Sequence, residues 1–462
     1  MAASPETGMP ATPAPGAAAA LIDSRPLSPY QRLVLVLCAS VIFLDGLDTQ
    51  SISVATKLMA VSLNVPLASF GAVFSVLQLG GLIGTFLFGY LADRIGRRPL
   101  VIVAALLIGL LTLGTASVET YTQLMIVRFL GGVGLGGIFP CVLALGAEYV
   151  HSKSKGLAVA LLFANYSLGA ALGAVLNGYV LAHAGWRAVY VVGGTLSIIV
   201  ALAIIVWLPE SPHFLVSRGR TEKLRRVFAR LYPREHVDID SLRVQTPADA
   251  DAATRGVPVR EIFSGGRLGI TLLLLGILAL SYATIKVMTV WLMPLLQTAG
   301  IPVVKASWVL ASLDIGSMIG LGLAGYVVSR FGPTRSLLPA LLLLALTTML
   351  VSMEISKLAV LLPSGFVIGL TGGIGQSAPL ALFAIIYPTR VRSTALGLGG
   401  AAGQVGKIAS PMLVATVLSM GWKPDTILLA VAVLPAIGVL LILAMRLSRH
   451  AKVSSVSQRV ST

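Results

Sequence analysis

Apolar and polar positions segregate along this chain on the scale of whole helices. Long runs of Leu, Val, Ile, Ala and Gly are separated by short polar breaks. A membrane-crossing helix needs about 20 mostly apolar residues. Twelve stretches meet that requirement, at 32–57, 68–92, 100–118, 121–148, 156–183, 187–208, 268–297, 304–328, 336–354, 358–386, 393–419 and 425–446. Strand-type alternation is weak and the runs are unbroken, so the pattern predicts helices rather than a barrel. Of 462 residues, 56% are hydrophobic and 11% charged, and mean hydropathy is +0.91. Water-soluble domains carry about 25% charged residues. Composition therefore excludes an ordinary soluble enzyme.

The chain is written twice. Residues 77–96 read LQLGGLIGTFLFGYLADRIG and residues 313–332 read LDIGSMIGLGLAGYVVSRFG. Leu77, Gly80, Ile83, Gly84, Gly89, Tyr90, Arg94 and Gly96 recur 236 positions later as Leu313, Gly316, Ile319, Gly320, Gly325, Tyr326, Arg330 and Gly332. A weaker echo pairs Phe129 and Gly132 with Phe366 and Gly369. The second and eighth spans are thus equivalent and equally oriented. The expected architecture is an all-α membrane protein of two six-helix, pseudo-symmetric halves. Parallel repeats of this kind belong to alternating-access transporters, whose substrate site lies near mid-membrane between the halves. Domain boundaries follow: a disordered N-terminal tail at 1–29, a bundle at 30–208, a central loop at 209–267, a bundle at 268–447 and a C-terminal tail at 448–462. Glycines crowd spans four, five and eleven, as at Gly131-Gly132 through Gly136-Gly137, Gly169, Gly173, Gly399, Gly400, Gly403 and Gly406. Small residues at such spacing let helix backbones touch. A phosphate loop is rejected, because no Lys-Ser/Thr follows.

Formal net charge is +16, which alone would suggest nucleic acid. Placement argues otherwise. With the N-terminus inside, only Lys57, Arg187, Lys305, Lys357 and Lys423 of the 34 Lys and Arg fall in outer loops. That asymmetry is the positive-inside signature. It predicts cytoplasmic tails and central loop, and no nucleic-acid partner. The N-terminus lacks the layout of a cleaved signal peptide. Cys38 and Cys141 lie in apolar runs and read as buried free thiols.

Six ionisable side chains fall inside the predicted hydrocarbon zone: Asp45, Asp48, Arg128, Lys286, Asp314 and Lys407. Each such charge costs about 2.5–3.5 kcal/mol near a helix centre, so they are functional candidates by default. The plain alternative is buried ion pairs that only fix helix packing. Asp45 and Asp48, at i and i+3 in IFLDGLDTQ, share one helix face. Two partly desolvated carboxyls that close compete for one charge, so one of them is a candidate to gain and lose a proton during transport. Asp48 is the first choice. Lys286, related to Thr49 by the repeat, sits across the pseudo-twofold from the aspartates, and Lys286 and Lys407 near mid-depth suit an anionic substrate, most simply a carboxylate. Asp314 is the ion-pair candidate for Lys286. Arg128 either forks onto a carboxylate or pairs with the aspartates; pairing is the expectation. Tyr166, Tyr282, Trp291 and Phe43 are candidates to stack on an aromatic ring, the alternative for each being helix packing.

These residues carry a resemblance. Gly89-Tyr-Leu-Ala-Asp93-Arg94-Ile-Gly96-Arg97-Arg98 resembles the loop-2/3 signature of the major facilitator superfamily, and WLPESPHFL at 207–215 resembles its PESP element. Asp45-Gly46-Leu47-Asp48 is similar to the DGxD of the aromatic acid:proton symporter family. Arg128-Phe-Leu-Gly-Gly and Tyr387-Pro-Thr-Arg-Val-Arg392 are similar to that family's span four and the loop after span ten. The resemblance covers nearly the whole chain outside the tail and central loop. It implies proton-coupled uptake of hydroxybenzoates, benzoates or phenylpropionates across a bacterial inner membrane, with roles for Asp45, Asp48, Asp93 and Arg128. Within the signature, Asp93 among Arg94, Arg97 and Arg98 reads as a charge latch between helix ends. The chain also departs from the family. Ser329 stands where an acid is usual, Gln404 where an Arg is expected with Lys407 one turn later, and Cys141 where an Asn is expected. Lys286 and Asp314 are unusual as well. Gln404 joins the substrate-binding candidates on this ground. Span five lacks the proline of drug antiporters, which favours symport.

The leading expectation is a monomeric symporter that needs no cofactor beyond a proton gradient, with an organic anion, protons and the bilayer as partners. The alternatives are a facilitator or exchanger of another solute, dicarboxylates among them, and a transporter-like sensor. No nucleophile–base pair, metal spacing or redox motif supports an enzyme.

Overall fold

The structure, a computed structural model, describes residues 22–233, 260–263 and 268–460, and it is helical throughout its core. The principal helices are α1 (Pro29–Ser62), α2 (Phe70–Ile95), α3 (Arg97–Ala116), α4 (Tyr121–Glu148), α5 (Lys155–Trp207), α6 (Pro212–Ser217), α7 (Thr221–Leu231), α8 (Leu268–Thr298), α9 (Val303–Phe331), α10 (Pro333–Met353), α11 (Leu358–Ile386), α12 (Thr389–Ser419) and α13 (Pro424–Val460).

Local sequence explains the boundaries. Ser28 and Gln31 form a capping box ahead of Pro29 at the first position of α1, and Thr120 and Gln123 do the same for α4. Gly96 and Gly332, the repeated glycines that close the two loop signatures, have φ of +105° and +82°. Only glycine takes that backbone without strain, so both halves turn at the same residue.

Among the described residues, eleven helices are long and apolar enough to cross a membrane, where twelve spans are predicted. The difference lies in α5. Its 53 residues would extend about 80 Å if straight, far beyond a hydrocarbon core of about 30 Å. Gly185, at φ +79°, breaks it into arms 155–184 and 186–207. Gly169 and Gly173 of the first arm meet Phe43 and Leu47, so that arm runs parallel to α1. Gly194 and Ile198 of the second arm meet Leu113 and Gly109, so it runs antiparallel to α3. The two predicted spans are therefore both present.

The repeat is visible in the packing. Gly80 and Gly84 lie against the backbone of Phe129 and Val133, and Gly316 and Gly320 lie in the same way against Phe366 and Leu370. Helix pairs α2–α4 and α1–α5 correspond to α9–α11 and α8–α12. The halves meet through α5–α9, α2–α12 and α1–α8.

Among the described residues, the hydrogen bonds between the halves run from the middle of the bundle to one end. Call the end holding Pro29, the α2–α3 turn and α7 the near end. At the far end Ser53 donates to Val290 O (3.1 Å), Lys57 to Gln297 O (2.8 Å), Gln297 to Val54 O (3.2 Å) and Ser75 to Ile408 O (2.7 Å). One continuous apolar cluster there joins Ile52, Phe70, Phe74 and Tyr190 to Trp291, Leu310 and Val414. At the near end the first half keeps a separate core of Val34, Ile42, Ile138, Leu145 and Phe228. Because that core is separate and no hydrogen bond joins the halves at the near end among the described residues, the halves part there and leave a cleft between them.

Two segments carry more structure than expected. Residues 22–28, part of the stretch expected to be a disordered tail, are packed: Asp23 accepts from Ser152 N (2.6 Å) and Arg25 stacks over Tyr232 (4.9 Å). The central loop contains α7, whose Leu224, Val227, Phe228 and Leu231 are buried against the near-end core. Residues 1–21, 234–259 and 264–267 of the predicted tail and loop lie outside the described residues.

Candidate functional site

Two polar centres sit side by side in the middle of the bundle. The first lies within the N-terminal half. Asp48, 4% exposed, faces Arg128, 3% exposed, with Arg128 Nη1 at 3.7 Å from Oδ2. Thr112 donates to Asp48 Oδ1 (2.9 Å), and Ser51 to the Asp48 carbonyl (2.6 Å). The Arg128 guanidinium stacks over Tyr190 at 4.6 Å. Among the described residues, its Nε and Nη2 have no hydrogen-bond partner. A small cavity beside the pair is lined by Leu77, Thr112, Thr115 and Gly131. Arg128 is therefore held, but loosely: one long contact to an acid, one aromatic face and two free donors. The expected pairing with an aspartate is the one seen, and it selects Asp48.

The second centre spans the halves and borders the cleft. Asp45, 4% exposed, lies on the same face of α1 and within electrostatic reach of Asp48 and of Lys286 from α8. Lys286 is also within reach of Lys407 on α12. Both lysines are partly exposed, unlike Arg128. Lys407 Nζ sits over the Tyr282 ring at 4.6 Å. The Tyr166 hydroxyl donates to Thr49 Oγ1 (3.3 Å), and Phe139 meets its ring edge-on at 5.5 Å. Gln404 is half-buried one turn before Lys407. Asp45, Tyr166, Tyr282, Lys286 and Lys407 thus lie together, although they come from four helices, with Gln404 one turn from Lys407.

Three sequence-based placements change. The pairing of Asp314 with Lys286 is not formed. Asp314 instead accepts from Gln50 Nε2 of the other half at 2.6 Å, because the α1–α9 approach puts Gln50, not Lys286, opposite it. Trp291 is fully buried in the seam between halves, donates to Pro411 O (3.2 Å) and meets Phe74 edge-on. It is a packing residue in this conformation, away from the cleft. Third, the near-end charge cluster is arranged differently. Arg97 pairs with Glu148, Arg94 stacks on Tyr90 (4.2 Å), and Arg98 donates to Ile205 O (2.8 Å). The Asp93 side chain is exposed and in no ion pair among the described residues. Glu210 of the PESP element does what sequence reasoning missed. Its Oε1 accepts from the backbone N–H groups of Arg97 (3.0 Å), Arg98 (3.1 Å) and Ser211 (2.9 Å). A carboxylate at a helix N-terminus satisfies orphan donors and opposes the helix dipole. Gln50, Thr112, Ser51 and Tyr190 were missed as well. They are ordinary apolar-helix residues in one dimension, and only the fold points them at a charge.

The sequence profile described as Major Facilitator Superfamily matches residues 38–351 and 273–460. The chain belongs to that superfamily. It is a multi-pass membrane transporter rather than an enzyme. Among curated superfamily proteins it is similar to the 4-hydroxybenzoate transporter PcaK of Pseudomonas putida, with 31% identity covering 93% of this chain and 96% of that protein. It is also similar to the 3-(3-hydroxy-phenyl)propionate transporter of Escherichia coli (strain K12), with 31% identity covering 86% and 90%. Among solved structures it superposes on a D-xylose-proton symporter with a TM-score of 0.68, over 90% of this chain and 97% of that one, at 18% identity. The last likeness bears on fold alone.

Proposed function

We propose that this chain takes up an aromatic carboxylate together with protons, by alternating access, across a bacterial inner membrane with both termini in the cytoplasm. The similarity to 4-hydroxybenzoate and hydroxyphenylpropionate transporters supports the substrate class. The positive-inside asymmetry supports the orientation, which makes the near end cytoplasmic and the structure inward-open.

The observation that carries the coupling is the Asp48–Arg128 pair beside Asp45. A proton on Asp48 removes the anion that holds Arg128. The guanidinium, already short of acceptors, is then free to attract a substrate carboxylate. Proton and anion therefore load together, which is what symport requires. Lys286 and Lys407 supply the opposing wall for the carboxylate, and Tyr282 and Tyr166 offer ring faces to the aromatic body. Asp45 tempers Lys286 until the proton arrives. Near the cytoplasm, Asp93 and its arginines act as the latch that closes when the near-end cleft does.

The test is uptake by purified protein in liposomes, with a panel of labelled aromatic mono- and dicarboxylates and an inside-alkaline gradient. Accumulation of one acid against its concentration gradient, lost in Asp48→Asn, is the expected result. Equal, non-accumulating flux with and without the gradient would establish a facilitator instead. Full gradient-driven uptake by Asp48→Asn would remove Asp48 from the coupling.

A further inference from the structure

Asp314 is a carboxyl without a cation. It is 7% exposed on α9, and among the described residues no Lys, Arg or His nitrogen comes within 4.0 Å of it. Every helix packed on α9 gives the same answer. α11 has no titratable side chain along its length, and α10 has only Arg335, at the near end. The first arm of α5 presents the Tyr166 phenol. On α8, Tyr282 lies under Lys407, and Lys286 engages Asp45 and Lys407. From α1 comes Gln50, 0% exposed, whose Nε2 donates to Asp314 Oδ2 at 2.6 Å. The other end of the same amide, Oε1, is buried and has no hydrogen-bond partner among the described residues.

An ionised carboxylate with one neutral donor is costly in a membrane interior. A protonated one is well served here, because its O–H can donate to the orphaned Gln50 Oε1 while Nε2 donates back. That cyclic acid–amide pair satisfies both groups. The pair also bridges the halves. It lies at the inner edge of the far-end seam formed by Ser53–Val290, Lys57–Gln297 and Ser75–Ile408. When the far end opens, α1 and α9 must part, Gln50 leaves, and water reaches Asp314, which favours the charged form.

We infer that Gln50 and Asp314 form a proton-dependent gate: the far end closes with a proton on Asp314 and opens as that proton leaves. The proton comes from water at the far end and resides on a carboxylate oxygen, and no other group changes its charge. This gate is separate from the Asp45–Asp48 centre and adds a titrating group in the second half. It rests on the alternating-access reading but not on the identity of the substrate.

The experiment reads the gate directly, without substrate. Purified full-length protein carries spin labels at Asn64→Cys and Lys305→Cys, exposed far-end positions on opposite halves. Distance distributions are recorded from pH 5.5 to pH 8.5. In the otherwise unaltered protein the short, closed distance is expected to dominate at low pH, with a longer population growing at high pH. Asp314→Asn keeps the size and an amide pairing with Gln50, but cannot lose a proton. It is expected to stay closed across the range, with the pH response cut by at least half. Gln50→Leu, which leaves the acid without donor or acceptor, is expected to raise the open population at low pH. A distance that ignores pH in the unaltered protein, or an undiminished pH response in Asp314→Asn, would overturn the gate. Labels rather than flux are the readout, so failure of the proposed substrate in liposomes leaves this result standing, and the reverse.

Discussion

Replacing Asp48 by Asn tests the buried pair at the heart of the N-terminal half. Arg128 is 3% exposed, and Asp48 is the one acid in ion-pair contact with it among the described residues. Coulomb's law at an effective dielectric constant of about 20 gives roughly 4 kcal/mol at their 3.7 Å separation. Removing one member of a buried pair costs about 3–5 kcal/mol, since the other charge is left uncompensated. Two features reduce that figure. Asn still accepts from Thr112, and Asp45 loses a like-charged neighbour. About 3 kcal/mol remains for Asp48→Asn. For a folding unit of this size, roughly 2–4 °C per kcal/mol translates this into a Tm lower by roughly 6–12 °C. The protein supplies its own reporter, because Cys38 and Cys141 are free and buried and react with a fluorescent maleimide only on unfolding. Arg128→Gln should cost a similar amount, by exposing Asp48 to Asp45 without a cation. The double variant should lose clearly less than the two singles added together, with a coupling of about 2 kcal/mol. Additive losses, or an Asp48→Asn protein as stable as its parent, would refute the claim that the two charges are held as a pair.

The other predictions concern the cleft and the cytoplasmic face. Lys286→Ala should raise the half-saturation concentration for the transported anion by about tenfold, roughly 1.4 kcal/mol, and an unchanged value in liposome uptake would remove Lys286 from the site. Glu210→Gln replaces a carboxylate cap by a neutral one at the start of α3 and should lower stability by about 1 kcal/mol in the same maleimide assay. Asp23 has its carboxyl held below the usual carboxylate range, chiefly by the Ser152 N–H. A depressed folded-state value means the stabilisation is fully present above the unfolded value of about 3.8 and is lost as pH falls through the folded one. Docking of residues 22–28, followed by amide hydrogen exchange at Ser152, should therefore persist at neutral pH and weaken progressively as pH falls below about 3.8, and Asp23→Asn should show no such acid limb.

Much of the site was legible one residue at a time. A charge in an apolar helix announces itself, and Asp45, Asp48, Arg128, Lys286 and Lys407 all reach the middle of the bundle. What each charge touches was not legible. Asp314 looked like the partner of Lys286 because both fall near mid-depth, yet depth says nothing about azimuth, and α9 turns Asp314 towards Gln50. Trp291 looked like a ring for stacking, but it faces α2 and α12 across the seam. Arg97 looked like the ion-pair partner of Asp93; the two stay within electrostatic reach, but Arg97 pairs with Glu148, about 50 residues on.

The sequence by itself determined the membrane class, the twelve crossings, the twofold repeat and the positions where helices touch. Those properties are local or periodic: hydropathy per turn and glycines at fixed offsets. Tertiary structure alone decided which end of the cleft is open, which acid holds Arg128 and which bond crosses between the halves. Those depend on how two six-helix bundles lean on each other. The lean is a small difference between far-end and near-end contacts spread over many residues, and no single stretch of chain encodes it.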